Sequence, residues 1–381
     1  MILCITCYSC DDPYKDTVFK VYDVQPAATY LQNRPDDFSE WVKVLKYGDL
    51  FNAVNRAEDA FTVLAPTNDA VLRFYEKKGV TSIEDLGYVQ MLLNYEKKGK
   101  IDLLGITISK CNPYSLEYID AYCRFNDKYD IPLGYAYNGM NTDDGHYLRQ
   151  TLDTIIDNNK ILHPKRSLKD HILEGYKLLR KLLAEQEDHS VVFIALGPET
   201  NLARLLISEA DEYSELDGKA LVAQKVKLLS VMGGLYGNEF DFPEWNIVND
   251  LNAAQITFKE WPTPIIASGW ELGNKIRYPH QSILNDFAGS YKHPLCVSYK
   301  IYQEMPYDRE TWDLTSVLQA IEPGNNYFNL SEKGTITIDS IGQSIFSPSE
   351  SGKHQYLTIQ GEENIRATRN ALIRQVTGKE N

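Results

Sequence analysis

The chain has 381 residues, 43% of them hydrophobic and 24% charged, which is enough for a sizeable core in more than one domain. Its 53 acidic and 39 basic residues give a net charge of −14, which repels polyanions and excludes a nucleic-acid partner; a neutral small molecule or a metal cation suits this balance. No run approaches the roughly 18 apolar residues that a membrane-spanning helix needs.

In chain order, the first feature is a cysteine cluster. Cys4, Cys7 and Cys10 stand in a CxxCxxC spacing, with no evident fourth ligand for zinc and with Asp11 and Asp12 directly after. MILCITCYSCDD resembles the end of a bacterial lipoprotein signal, with Cys10 as the acylated residue. On that reading residues 1–16 are a leader, Cys10 carries a lipid anchor, and the protein resides in the cell envelope; without a working leader it is cytoplasmic. The other cysteines, Cys111, Cys123 and Cys296, are scattered, and no disulfide framework is expected.

Residues 17–87 form the next unit. Tyr30, Leu31, Phe38, Trp41, Val42, Leu45 and Leu50 recur with helical spacing, interrupted at Pro35. FTVLAPTND (61–69) is expected to be a short strand running into a turn, with Asn68 and Asp69 capping a helix from Ala70. FSEWVKVLKYGDL, FTVLAPTNDAV and KKGVTSIEDLG together resemble the amino-terminal half of a fasciclin-type (FAS1) domain, a partial α+β unit.

From Tyr88 the pattern becomes strand–helix. YVQMLLNYEKKGK reads as a helix, IDLLGITIS (101–109) as an apolar strand, 115–125 as a helix and IPLGYAY (131–137) as a strand. Helices follow at 146–156 and 168–187, the second with Ile172, Tyr176, Leu179 and Leu183 on one side. SVVFIAL (190–196) reads as a buried strand, 199–209 as a helix, Val226–Met232 as a buried parallel strand bounded by Gly233-Gly234, 251–261 as a helix and PIIAS (264–268) as a strand. TITID (335–339) and QYLTI (355–359) suggest an edge hairpin before a last helix at 362–376. Alternating strands and helices predict an α/β fold, a doubly wound and mostly parallel sheet.

In such sheets ligands bind beyond the carboxyl ends of the strands. There the sequence offers Asn112 after the first strand and GPETNLA after SVVFIAL. The densest group, Asn238, Glu239, Asp241, Glu244 and Asn246, follows the Val226–Met232 strand, and Trp312-Asp313 opens a later helix. Amides donate and accept and carboxylates accept, so this set suits a polyhydroxylated ligand.

KIDLLGITIS-x-x-N, VVFIALGPETNLARLL, KLLSVMGG, GN-x-x-x-x-PEWNI and WDLTSVL, in that order, resemble the inosine–uridine-preferring nucleoside hydrolase family over residues 88–381. The resemblance implies that family's α/β fold and calcium-dependent hydrolysis of the N-glycosidic bond of ribonucleosides. It implies ribose contacts from Asn112, Asn238, Glu244 and Asn246. It implies calcium ligation by the carbonyl of Leu196 and by Asp313. Trp312 stands where well-studied members carry a histidine thought to protonate the leaving base; indole is no general acid, so stacking on the base is its expected role. The family begins with a strand running into DxDxxxDD, whose aspartates supply metal ligands and the general base, and this sequence has no such element. An ungapped count places Glu84 and Asp85 on its last pair, making Asp85 a metal-ligand candidate and Glu84 a substitute base. Two other readings stand beside the hydrolase: a non-catalytic ribose- or nucleoside-binding protein, and an envelope adhesion protein working through its FAS1-like half.

Overall fold

The computed structural model describes residues 27–34, 38, 41–42, 45, 84–142, 144–237 and 242–379. The chain divides into two units, Met1–Val80 and Thr81–Asn381. In the first, α1 (Ala27–Gln32) buries Ala28 and Leu31 with Val42 and Leu45, and Phe38 and Trp41 pack against them. Tyr30, expected on this face, is exposed instead, with its hydroxyl accepting from Arg34. Positions 28 and 31 are three apart and share a face; position 30 points away from it. The expected strand at 61–65, the cap at Asn68-Asp69 and the cysteines at 4, 7 and 10 lie outside the described residues.

The second unit opens with α2 (Glu84–Lys97), four residues earlier than its periodicity begins. Its first turn holds Glu84 and Asp85, whose side chains lie outside the described residues. Val89, Leu92 and Leu93 bury in the main core, and β1 (Ile106–Ile108) follows. Only those three residues of the expected strand 101–109 pair in a ladder, and among the described residues β1 has a partner on one side only. That partner is β2 (Leu133–Tyr135), reached through α3 (Pro113–Phe125) and aligned in parallel with Ile106 opposite Leu133. Helix α4 (Leu148–Asp153) is shorter than predicted because Ile155–Ile156 (β3) turns back on Asn159–Lys160 (β4) as a hairpin. Leu173–Glu174 (β5) then joins β2 in parallel, so the helix predicted from 168 begins only at Gly175, as α5 (Gly175–Ala184).

The larger sheet starts with β6 (Val191–Ala195), which leads through α6 (Thr200–Leu206) and α7 (Gly218–Lys225) to β7 (Val226–Met232). Strand β7 has β6 on one side and β8 (Ile265–Ser268) on the other, both parallel. Paired on both sides and with five of its seven residues buried, it explains the mostly apolar run. Between β7 and β8 lie α8 (Trp245–Asn249) and α9 (Leu251–Glu260). After β8 come α10 (Trp270–Lys275), β9 (Arg277–Tyr278), α11 (His280–Asn285), α12 (Pro294–Tyr302), β10 (Arg309–Glu310) and α13 (Trp312–Ile321). The remaining elements are β11 (Asn329–Leu330), β12 (Gly334–Ile338), β13 (Ser344–Pro348), β14 (His354–Thr358) and α14 (Glu362–Thr377).

Two corrections concern the sheet. β14 does pair antiparallel with β12, at Gly334 opposite His354, but it also pairs in parallel with β8, which makes it interior; the edge hairpin is β12 with β13, a strand whose polar composition hid it. β6, read from its apolar residues as buried, is an edge strand among the described residues, with no fully buried residue. Among the described residues the strands therefore form two larger sheets, β1-β2-β5 and the seven-stranded β13-β12-β14-β8-β7-β6 with β11 on β14, and two two-stranded pairs, β3-β4 and β9-β10.

Candidate active site at the strand carboxyl ends

Residues Gly233–Gly234 end β7 and release the chain at φ +87° for Gly234, a conformation that needs glycine. The chain returns at Pro243, and Glu244 caps α8. Its Oε2 accepts from the backbone N–H groups of Gly234, Asn246 and Ile247 at 3.3, 3.0 and 3.3 Å, while its Oε1 accepts only from Asn246, at 3.0 Å. Glu244 is buried, and desolvation pushes its carboxyl up to about 7 although these N–H groups oppose the shift. The amide nitrogen of Asn246 donates to the carbonyl and sulfur of Met232, both at 3.1 Å, which leaves its oxygen as the group able to accept from a ligand.

A second buried carboxyl, Glu199, follows the end of β6. It precedes α6 as an N-cap without a side-chain cap bond, and neither of its oxygens receives a hydrogen bond from another residue. A Cβ on Gly233 would lie 3.4 Å from its Oε1. Burial, and secondly the charge of Glu244, push it up to about 8. Glu199 was not singled out from the sequence, where GPETN reads as an ordinary turn; its signal is a glutamate at a cap position that it does not cap.

The aromatic side of the site is built by α10 and α13. Trp312 donates its indole N–H to the carbonyl of Trp270 at 2.9 Å, and the two rings lie 6.0 Å apart at 30°. Phe242 meets Trp270 edge-on at 5.1 Å, and the guanidinium of Arg309 lies 5.3 Å from the Trp312 ring. Helix α13 is fixed beneath the strands by Ser230 donating to the Ser316 carbonyl at 3.0 Å and by Ser268 and Thr315 sharing a 2.6 Å hydrogen bond. Asp313, in the first turn, is therefore buried near the end of β8. Glu271, next in the chain after Trp270, accepts from the N–H of Tyr236 at 3.1 Å, and burial raises its carboxyl above the usual range.

The structure thus brings together Glu244, Asn246, Trp312 and Asp313, on the ends of β7 and β8 and the helix below them. Leu196 sits immediately past β6, packed against the main core. Asn112 belongs to the other sheet: it caps α3, its side-chain oxygen accepting from Tyr114 N–H at 2.9 Å and its amide donating to Thr142 at 3.0 Å. Asn238 lies outside the described residues. Among the described residues no three His, Cys, Asp or Glu side chains form a group that could hold a metal ion. Asp313 and the Leu196 carbonyl alone fall short of the six to eight oxygens calcium takes, so the described residues do not by themselves fit that ion.

A sequence model of the family described as inosine-uridine preferring nucleoside hydrolase matches residues 81–367. The pyrimidine-specific ribonucleoside hydrolase RihA of Enterobacter sp. (strain 638) is 30% identical over 114 residues, which is 29% of this chain and 33% of that protein. The aligned region thus spans about a third of that relative. Among solved structures, a plant nucleoside hydrolase, the PpNRh1 enzyme, is similar with a TM-score of 0.57 at 16% identity, covering 78% of this chain and 96% of that one. An inosine-guanosine nucleoside hydrolase gives 0.58 at 16% identity over 79% and 97%. The inosine-uridine preferring enzyme of Bacillus anthracis gives 0.55 at 15% identity over 77% and 96%. At these identities the structural likeness shows the fold alone.

Proposed function

The chain belongs to the inosine–uridine-preferring nucleoside hydrolase family, and from that premise we propose that it cleaves the N-glycosidic bond of ribonucleosides to ribose and free base. The observation that carries this reading is the polar corner at the end of β7. Glu244 and Asn246 are buried there and held by backbone partners; Glu244 Oε1 accepts one hydrogen bond and Asn246 Oδ1 is not used by its amide's bonds to Met232, so each oxygen retains acceptor capacity for a ribose hydroxyl.

Cleavage of a ribosyl C–N bond passes through an oxocarbenium-like state. Hydroxyl contacts that strengthen as the ring flattens stabilise that state, which is the role proposed for Glu244 and Asn246. The ring of Trp312, backed by Trp270, offers a stacking surface to the base. Its N–H is committed to Trp270 and supplies no proton. A metal ion would supply an acidified water; Asp313 and the Leu196 carbonyl are the proposed calcium ligands, and Asp85 with Glu84 are candidates whose side chains are not described. Any remaining oxygens would come from outside the described residues, and no step is derived through the ion. The test is release of hypoxanthine from inosine or uracil from uridine by the full chain with calcium; release no greater than an enzyme-free blank rejects hydrolysis.

A second reading is a non-catalytic nucleoside- or ribose-binding protein that uses the same Glu244 and Asn246 oxygens. Calorimetric binding of inosine without base release would establish it. For the amino-terminal part the proposal is a FAS1-like unit tethered to the envelope through Cys10, and labelled palmitate incorporation that survives Cys10→Ser would reject the tether.

A further inference from the structure

The β12–β13 hairpin holds both ends of the excursion that the chain makes between β7 and α8. At its start, the hydroxyl of Ser344 accepts from the N–H of Leu235 at 2.7 Å and donates to the Leu235 carbonyl at 2.8 Å. A hydroxyl has one donor and two acceptor sites, so it serves both backbone groups at once, like a ladder rung between segments 109 residues apart. At the far end, a Cβ on Gly342 would lie 2.8 Å from Val248 and 3.2 Å from Pro243. The hairpin turn therefore rests on residues to either side of Glu244 and Asn246. That turn is fixed in its own right: Asp339 Oδ1 accepts from the N–H groups of Ile341 and Gln343, both at 2.9 Å, and the Asp339 carbonyl accepts from Gln255 of α9 at 2.7 Å.

Aromatic packing secures the same point from beneath. The ring of Tyr236 stacks on Tyr356 of β14, with centroids 4.8 Å apart at 11°, and Phe346 of β13 meets Tyr356 edge-on at 5.0 Å. The Tyr236 hydroxyl donates to the Gly233 carbonyl at 3.0 Å. Gly234 lies between these groups: a Cβ there would stand 2.6 Å from the Tyr236 hydroxyl oxygen and 2.9 Å from Ser344 Oγ. Its N–H is the donor on Glu244 that comes from β7, whereas those of Asn246 and Ile247 belong to the helix that Glu244 caps. The ladder between β12 and β13 uses the backbone of Ser344, opposite Ile338, and leaves its hydroxyl for Leu235.

We propose that Ser344 is a positioning residue for the Glu244–Asn246 corner: by fixing Leu235 it keeps the Gly234 N–H on Glu244 and so sets where that carboxylate meets a ribose hydroxyl. The inference rests on the reading of this corner as the ribose site. Ser344 touches no substrate on this account and acts through two intermediates, the Leu235 backbone and the Gly234 N–H. Geometry at such a corner matters steeply, since a misplacement of about 1 Å can cost on the order of 100-fold in rate. Without the hydroxyl, the Leu235 N–H and carbonyl lose their shared partner and the exit of β7 can shift by that much.

Ser344→Ala and Ser344→Thr in the full chain test this, with Ser347→Ala, an exposed serine of the same strand, as control. In Ser344→Ala, hydrogen exchange at the Gly234 and Leu235 amides should quicken at least about tenfold. The KM for inosine, or the calorimetric Kd if the chain binds without cleaving, should rise about tenfold, whereas loss of folded protein alone would lower kcat and leave KM unchanged. Ser344→Thr keeps the hydroxyl and should restore both, and Ser347→Ala should change neither. Unchanged exchange in Ser344→Ala overturns the proposal, and so does faster exchange with an unchanged KM or Kd, or a Thr variant no better than Ala. An unaltered chain that neither binds nor cleaves inosine rejects the ribose reading instead, and the latch on Leu235 then stands or falls on exchange alone.

Discussion

Glu199 and Glu244 are buried carboxyls on neighbouring strand ends with opposite hydrogen-bonding fates: Glu244 collects backbone N–H donors on both oxygens, and Glu199 receives none from another residue. Two adjacent buried carboxylates do not both keep a full charge. The one with donors is better able to stay ionised, and Glu199 holds its proton at neutral pH.

This makes stability depend on pH. Glu199 titrates at about 8 in the folded chain against an ordinary 4.5. Below 4.5 both states are protonated and the contribution is complete; between 4.5 and 8 only the folded state keeps the proton, so stability falls as pH rises, until the contribution is gone above 8. We expect Glu199 to contribute a loss on the order of 3 kcal/mol in urea unfolding between pH 5.5 and 8.5, removed in Glu199→Gln, which keeps only the shallower slope that Glu244 gives up to about pH 7. A Gln variant with the same pH slope would show that another group is responsible.

Glu244 serves both helix and ligand. Glu244→Gln should cost about 1–2 kcal/mol of stability, because an amide nitrogen then meets backbone donors. It should lower kcat/KM for inosine by roughly 100-fold, the equivalent of about 2.7 kcal/mol. Since its carboxyl titrates at about 7, acceptance of the ribose hydroxyl should strengthen as pH rises through 7. Steady-state kinetics between pH 6 and 8 on a variant that remains folded would expose a merely structural role as unchanged kcat/KM.

Trp312 gives a leaving-group prediction. With its N–H bonded to Trp270 and no acid in that position, the chain should favour a leaving group that needs no proton. General acid catalysis contributes about 10²–10⁴-fold. 4-Nitrophenyl riboside should therefore be cleaved faster than inosine by a factor of that order, and Trp312→Phe should raise KM for inosine without narrowing the gap. Comparable rates for the two substrates would reveal an acid elsewhere.

Asp313 tests the metal. Asp313→Ala should abolish the calorimetric signal of calcium binding, and EDTA should stop base release by the unaltered chain. Calcium affinity that survives the substitution removes Asp313 from the ligand set.

Local signals carried much of the fold. β7 was legible because a strand with five of its seven residues buried is mostly apolar and two glycines mark its end. Leu202, Leu205 and Leu206 identified the buried face of α6 by spacing alone. Glu244 and Asn246 were legible because polar residues crowded behind a buried strand have few other uses. Glu199 was not, since nothing local shows whether a carboxyl at a turn faces water or a second carboxyl. The same holds for Trp270 and Phe242, distant in sequence from Trp312 and joined to it only by packing.

By itself the amino-acid sequence determined the alternation of strands and helices, the apolar faces and the edge at which polar groups gather, because these follow from periodicities of two and 3.6 residues and from glycine at turns. Tertiary structure alone decided which strands are neighbours. An apolar strand reads the same whether it lies inside a sheet or at its border, so the place of β6 at a border among the described residues, the interior place of β14 and the pairing of Glu199 with Glu244 arise only from contacts between distant residues.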